Sequence, residues 1–309
     1  MEIFVRFLFV FRIMNKFFYF FLLIVLYSQT SFAQANEGNK KIESFSKSKT
    51  FLKKIHQESP VTFYCQCKYN ANKPNWESCG FRPRKDKKRA SRIEWEHVLP
   101  ASYFGIKFNA WANGHPLCVN SKGKIYKGRK CTEKVHELYR YMQADLYNLQ
   151  PAIGEVNGIR SNYQIGEIEG EEREFGKCDI EIKNKKVEPT PKIRGDIART
   201  YLYMEQTYPQ YIKFNQSIKK LIIKWDQEDP VDTWECKRAI LISNIQGNTN
   251  KILQNRCSNK IKIGAIKPNN QTIDQNNKID KGKASNLYKL SSENTKGTFK
   301  GKGTGHSFK

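Results

Sequence analysis

Apolar residues recur at three- and four-residue steps in several stretches of this chain, the period of helices with one buried face. Val135, Leu138, Met142, Leu146 and Leu149 mark one such stripe, which must end by Pro151. Ile193, Ile197, Tyr201, Met204 and Tyr208 mark a second, and Phe214, Ile218, Leu221, Ile222 and Trp225 a third. Asp229-Pro230 reads as an N-cap followed by proline in the first turn, and predicts a fourth helix over VDTWECKRAILISNI. VTFYCQCKY and SRIEWEHVL instead alternate and carry the aromatic and β-branched residues of strands. The pattern predicts an α+β fold with little sheet, much helix and long irregular connections. Trp95, Trp225 and Trp234 are expected in its core.

The ends differ from the middle. Residues 17–27, FFYFFLLIVLY, form an apolar run too short to span a bilayer comfortably, and small residues follow as Ser31-Phe32-Ala33 and Ala33-Gln34-Ala35. Residues 1–33 therefore read as a secretory signal peptide, with Met14 a tidier start than Met1. An uncleaved anchor is the competing reading, which Arg12 and Lys16 interrupt. Residues 34–258 have the composition of one folded domain. Residues 259–309 are rich in Asn, Lys, Gly and Ser and carry eleven lysines against three acids, so this basic tail is expected to be disordered.

Composition narrows the function. All eight cysteines lie beyond the leader, which fits an exported chain with up to four disulfides. Their pairing is not readable from spacing, although Cys118 and Cys131 could close a local loop. A zinc site on Cys65, Cys67 and Cys79 is the rival, with spacing wrong for the common frameworks. The net charge of +24 calls for a polyanionic partner, nucleic acid or an anionic surface, without saying anything of specificity.

Candidate chemistry sits in two stretches. RIEWEHVLPASYFG sets Glu96 beside His97, either as an ion pair at a strand end or as a metal ligand next to a general base. A regular strand would place the two on opposite faces, so cooperation needs a departure from it near Pro100. ADLYNLQPAIGEVNGIRSNYQIG packs Asp145, Asn148, Glu155, Asn157, Arg160 and Asn162 around a proline and two glycines. Such density is costly unless these groups bond one another, a ligand or water. A capped helix junction is the plain alternative.

These two stretches, with GDIARTYLYM, WDQEDPVDTWECKR and NIQGNTN, resemble the bacterial endonuclease I family of exported, sugar-nonspecific nucleases over residues 50–257. The resemblance implies a His-Me finger (ββα-metal) core with additional helices and disulfide-stabilised loops. It assigns Glu96 and Asn157 as ligands of one Mg²⁺, with Mn²⁺ or Ca²⁺ as substitutes, His97 as general base, and Arg129 in KGRKC as the phosphate contact. It implies hydrolysis of DNA and RNA to 5′-phosphate and 3′-hydroxyl ends, by a monomer in the periplasm or outside the cell, with no stable membrane association after leader cleavage.

The chain departs from the family pattern at Gln143, where a glutamate can occur, and at Tyr147, where histidine is frequent. The rival function is a noncatalytic cationic nucleic-acid-binding protein on the same fold. An RNA-restricted enzyme is a further alternative. His56 and His306 are expected to be solvated, His115 and His136 to be structural or superficial with support of the site or phosphate contact as the alternative, and Arg160 and Asn162 to hold the turn of the site. The basic run of residues 82–92 is expected to touch a nucleic-acid backbone.

Overall fold

The computed structural model describes residues 38–170 and 172–265. The leader and all of the tail beyond residue 265, His306 included, lie outside the described residues. The chain opens with α1 (Phe45–Ile55), then the short pair β1 (Tyr69–Asn70) and β2 (Lys73–Pro74). Helix α2 (Lys87–Ala90) leads into β3 (Ile93–His97). A long connection carries α3 (Ala101–Gly105), α4 (Asn109–Asn113), α5 (Arg129–Val135) and α6 (Glu137–Gln143) before β4 (Leu149–Ile153) and α7 (Gly154–Arg160). A three-stranded sheet follows from β5 (Gln164–Ile165), β6 (Ile180–Lys183) and β7 (Lys186–Pro189), in the order β5-β7-β6. The chain then becomes helical in α8 (Arg194–Thr207), α9 (Gln216–Glu228), α10 (Thr233–Gln246) and α11 (Lys251–Ala265). The tail boundary expected at residue 258 thus falls inside α11.

Strands β3 and β4 run antiparallel with Ile93 opposite Ile153 and His97 opposite Leu149, and α7 follows β4 directly. This ββα unit is the His-Me finger core of an α+β fold. Helix α7 approaches α2 closely because Gly154 and Gly158 lack side chains. A Cβ on Gly158 would lie 1.9 Å from Nη1 of Arg89. The main core runs through Leu99, Phe104, Tyr139, Leu146, Leu149, Val156, Tyr203 and Trp225.

The helical stripes at α8 and α9 form as their periodicity predicts, with Asn215 capping α9 through the amide of Ile218. The single helix expected from Val135 to Leu149 does not form. It breaks at His136 and ends at Gln143, and Leu149–Ile153 is a strand buried at every position. Proline is tolerated there because Pro151 turns its carbonyl away from β3, accepting a 2.7 Å bond from the amide of Phe63. Its missing N–H therefore faces away from the ladder too.

Two further expectations are corrected. Asp232, not Asp229, caps α10, accepting from the amide of Glu235 at 2.7 Å, while Asp229 accepts from Gly195 at the start of α8. VTFYCQCKY is a tight turn with Gln66 at φ 56° and only Tyr69–Asn70 in a strand. That turn is locked by Cys65–Cys178 and Cys67–Cys79, which also removes the zinc alternative. Cys118–Cys131 closes the local loop its spacing suggests, and Cys236–Cys257 joins α10 to α11. Trp95 and Trp225 are buried, and Trp234 is partly so.

Candidate active site

A cavity of about 830 Å³ opens along β3 and takes in Glu94, Glu96, His97, Arg129, Asn157 and Asn162. Among the described residues β3 forms a ladder only with β4, and all five residues of β3 line the cavity. Side chains of both strand parities reach the cavity, and the alternation that should separate Glu96 from His97 does not keep them apart.

Glu96 is almost wholly buried, at 3% exposure. Its Oε1 accepts from the Tyr64 hydroxyl at 2.9 Å and lies 3.1 Å from Nε of the buried Arg160. Arg160 is held in turn by the carbonyls of Val98 at 2.6 Å and His97 at 3.3 Å. This guanidinium braces the strand end, as expected for a residue that holds the turn. Burial raises the Glu96 carboxyl to about 7, although Arg160 opposes the shift. No described residue donates a hydrogen bond to Oε2, and Tyr64 and Arg160 both engage the other oxygen.

Asn157 lies on α7. Its Nδ2 donates at 2.9 Å to Oε2 of Glu94, a carboxylate that also receives Arg89 and Arg92. Burial pushes Glu94 upward, but the bonds from Arg89, Arg92 and Asn157 outweigh it and hold the group below its usual value. Donation through Nδ2 fixes the amide so that Oδ1 is the atom left without a donor. Glu96 and Asn157 thus line one cavity, and neither Glu96 Oε2 nor Asn157 Oδ1 receives a hydrogen bond from a described residue. That set suits a hydrated divalent cation that takes a small protein share of ligands. Among the described residues no group of three or more His, Cys, Asp or Glu is placed to hold a metal.

His97 shows the same discipline. Its Nε2 lies 2.8 Å from the Gln143 carbonyl. A carbonyl only accepts, so Nε2 carries the proton and Nδ1 keeps its lone pair. No described residue bonds to Nδ1. The ring packs on Phe45, with centroids 4.8 Å apart. Burial first, then the positive field of Arg129, lowers its pKa to about 3, so the imidazole is neutral at neutral pH. Arg129 itself is exposed at the first position of α5, after Gly128 at φ 82°. That left-handed angle suits glycine and turns the chain so that Arg129 borders the cavity.

The structure thus brings Glu96, His97, Arg129 and Asn157 around one cavity. Gln143 acts on His97 through its main chain, and its own side chain is buried outside the cavity lining. Tyr147 is buried and donates toward the carbonyls of Ala239 and Asn248 at 3.2 Å. His115 accepts from the Leu117 amide, and His136 packs on Phe108. His56 corrects the expectation of a solvated side chain. It is 2% exposed, lies between Trp95 and Trp234, and receives Arg238 at 3.4 Å.

Tyr64 and Glu94, which position Glu96 and Asn157 through hydrogen bonds, are not singled out by sequence reasoning. Nor does it give Glu155 its role, which is to accept the amides of Arg84, Lys85 and Asp86 and so anchor the basic run of residues 82–92. The TFYCQC and RIEWEH stretches contain two of these residues, but the bonds from Tyr64 to Glu96 and from Asn157 to Glu94 join segments distant in sequence.

The family model of Endonuclease I matches residues 23–257. An extracellular deoxyribonuclease of Aeromonas hydrophila is 43% identical over 224 residues, covering 70% of this chain and 90% of that protein. Endonuclease-1 of Buchnera aphidicola subsp. Acyrthosiphon pisum is 42% identical over 72% of this chain and 84% of its own length. A periplasmic deoxyribonuclease of Aeromonas hydrophila is 42% identical, with 70% and 87% covered.

Proposed function

The chain belongs to the endonuclease I family, and on that premise we propose that it hydrolyses DNA and RNA without sequence preference, with Mg²⁺ held by Glu96 and Asn157. It is an enzyme acting on the phosphodiester bonds of nucleic acid. It works outside the cytoplasm, as its relatives' names and its four disulfides support. The observation that supports the mechanism is that Glu96 and Asn157, each with one oxygen free of protein donors, line one cavity with a tautomerically fixed His97.

Nδ1 of His97 accepts a proton from the attacking water as the new bond to phosphorus forms and the bond to the 3′ oxygen breaks. Gln143 holds the ring, and Tyr64 and Arg160 hold Glu96. Arg129 offsets charge on the phosphate. Mg²⁺, which Glu96 and Asn157 would hold, would supply Lewis-acid stabilisation of the negative charge that develops in the reaction. The departing 3′ oxygen takes a proton from a solvent water, so the ends are 5′-phosphate and 3′-hydroxyl. Because no step uses a 2′-hydroxyl, RNA is a substrate as well as DNA, and contacts to backbone leave the sequence unread.

The test incubates oxidised protein, residues 34–309, with supercoiled plasmid and with a structured RNA, each in Mg²⁺ or EDTA. Both substrates are cut only with the metal, and His97→Ala loses a factor of about 10²–10⁴. Tight binding with no cleavage under any divalent ion would replace the enzyme with a cationic binding protein.

A further inference from the structure

A disulfide-clamped finger stands beside the cavity and takes no part in the chemistry above. It spans residues 114–128 and returns to the site at Arg129, while the amide of Gly128 bonds to the carbonyl of Trp111 at 3.0 Å. Trp111 and Arg129 both line the cavity. The finger's two arms meet in an antiparallel bridge between Val119 and Ile125, closed below by Cys118–Cys131. The amide of Tyr126 donates to the carbonyl of Cys118 at 2.8 Å. Asn120 closes the tip, its Oδ1 accepting from the amides of Lys122 at 2.9 Å and Lys124 at 3.0 Å. The tip is therefore built rather than loose.

Its surface is unusual for so small a piece. Leu117, Val119 and Ile125 are 64%, 43% and 57% exposed, three large apolar side chains within nine residues. Lys122, Lys124 and Lys127 stand among them, all exposed, and no acidic residue occurs between His97 and Thr132. Stability of the finger does not require those apolar groups in water, since the disulfide and the Asn120 turn already hold it. Apolar residues bracketed by lysines match a nucleic-acid groove, where lysines meet phosphates and an apolar edge seats against the sugars and bases.

The geometry points to this finger as a groove-seated clamp for duplex nucleic acid flanking the scissile phosphate, with Leu117 and Val119 as its apolar contact and Lys122, Lys124 and Lys127 as its phosphate contacts. The inference rests on the nuclease reading of the cavity. Its position follows from continuity, because the finger and the phosphate-facing Arg129 are one segment of chain. An anionic membrane surface could match the same composition, but it gives no reason for a finger rooted at the cleft.

Two variants of the full oxidised protein test it, Leu117→Ser/Val119→Ser and Lys122→Gln/Lys124→Gln/Lys127→Gln, each checked for intact disulfides by thiol titration. Affinity for a 20-base-pair duplex is measured in EDTA across a salt series. Hydrolysis of the p-nitrophenyl ester of thymidine 5′-phosphate is measured with Mg²⁺. The apolar variant is expected to weaken duplex binding about tenfold with an unchanged salt slope. The lysine variant is expected to lower that slope by about one unit per lysine. Both hydrolyse the small ester as the unaltered protein does. Duplex affinity unchanged in the apolar variant overturns the inference while leaving the nuclease standing. So does a loss confined to binding of phosphatidylglycerol vesicles. An unaltered protein that cuts neither ester nor duplex overturns the nuclease reading, and the clamp with it.

Discussion

At the residue scale, the site depends on side chains that aim other side chains. Tyr64 gives Glu96 one of its few hydrogen bonds. Tyr64→Phe removes that donor with little change in volume, so Mg²⁺ should bind about 10-fold or more weakly, as titration against activity or calorimetry would show. An unchanged Mg²⁺ affinity would mean that Arg160 alone orients the carboxylate. His56 offers a cleaner pH probe because it lies outside the site. Burial, followed by the charge of Arg238, keeps its pKa well below 6.5. The folded chain then binds fewer protons here than the unfolded chain below pH 6.5. The stabilisation is complete above that pH and is lost as pH falls toward the folded value. His56→Gln keeps an acceptor for Arg238 but cannot titrate. Urea unfolding between pH 6.5 and 5 should lose stability less steeply than the parent, by up to about 1.4 kcal/mol per pH unit.

At the element scale, the ββα unit works because two glycines bring α7 against α2. Arg89 lies over Gly158 and reaches Glu94, which in turn holds Asn157. Gly158→Ala would drive a methyl into that guanidinium. We expect a stability loss of about 1–3 kcal/mol together with weaker Mg²⁺ binding, because the Arg89–Glu94–Asn157 chain is disturbed. Stability loss with unaltered metal affinity would separate the clasp from the ligand. Helices α8 and α9 were legible from their apolar spacing, since period depends only on residues near in sequence. The segment from Asp145 to Ile153 was not. Helical spacing continues through Leu146 and Leu149, yet Asp145 turns the chain out of the helix. Its carboxylate accepts from Tyr203 at 2.8 Å, Tyr208 at 2.7 Å and Gln246 at 2.9 Å, partners far along the chain. Long-range partners, invisible to a local pattern, override local propensity there.

At the scale of the whole molecule, disulfides do for the irregular connections what strands do elsewhere. Cys65–Cys178 joins positions 113 residues apart and lies next to Tyr64. Replacing both with Ala should cost about 2–5 kcal/mol in thermal or denaturant unfolding. It should also weaken Mg²⁺ binding in the manner of Tyr64→Phe; stability lost with normal metal binding would show that Tyr64 needs no such anchor. By itself the sequence determined the α+β class, the cysteine-rich make-up of an exported chain and, through motif resemblance, the nuclease family, and it nominated Glu96, His97, Arg129 and Asn157 as candidate site residues. These follow from residue type, local period and short spacing. Only the tertiary structure decided which cysteines pair, which imidazole nitrogen is free, which oxygens lack donors and how both parities of β3 reach one cavity. Each of those depends on atoms brought together from distant parts of the chain, and the desolvation and hydrogen bonding that set the chemistry exist only once they have met.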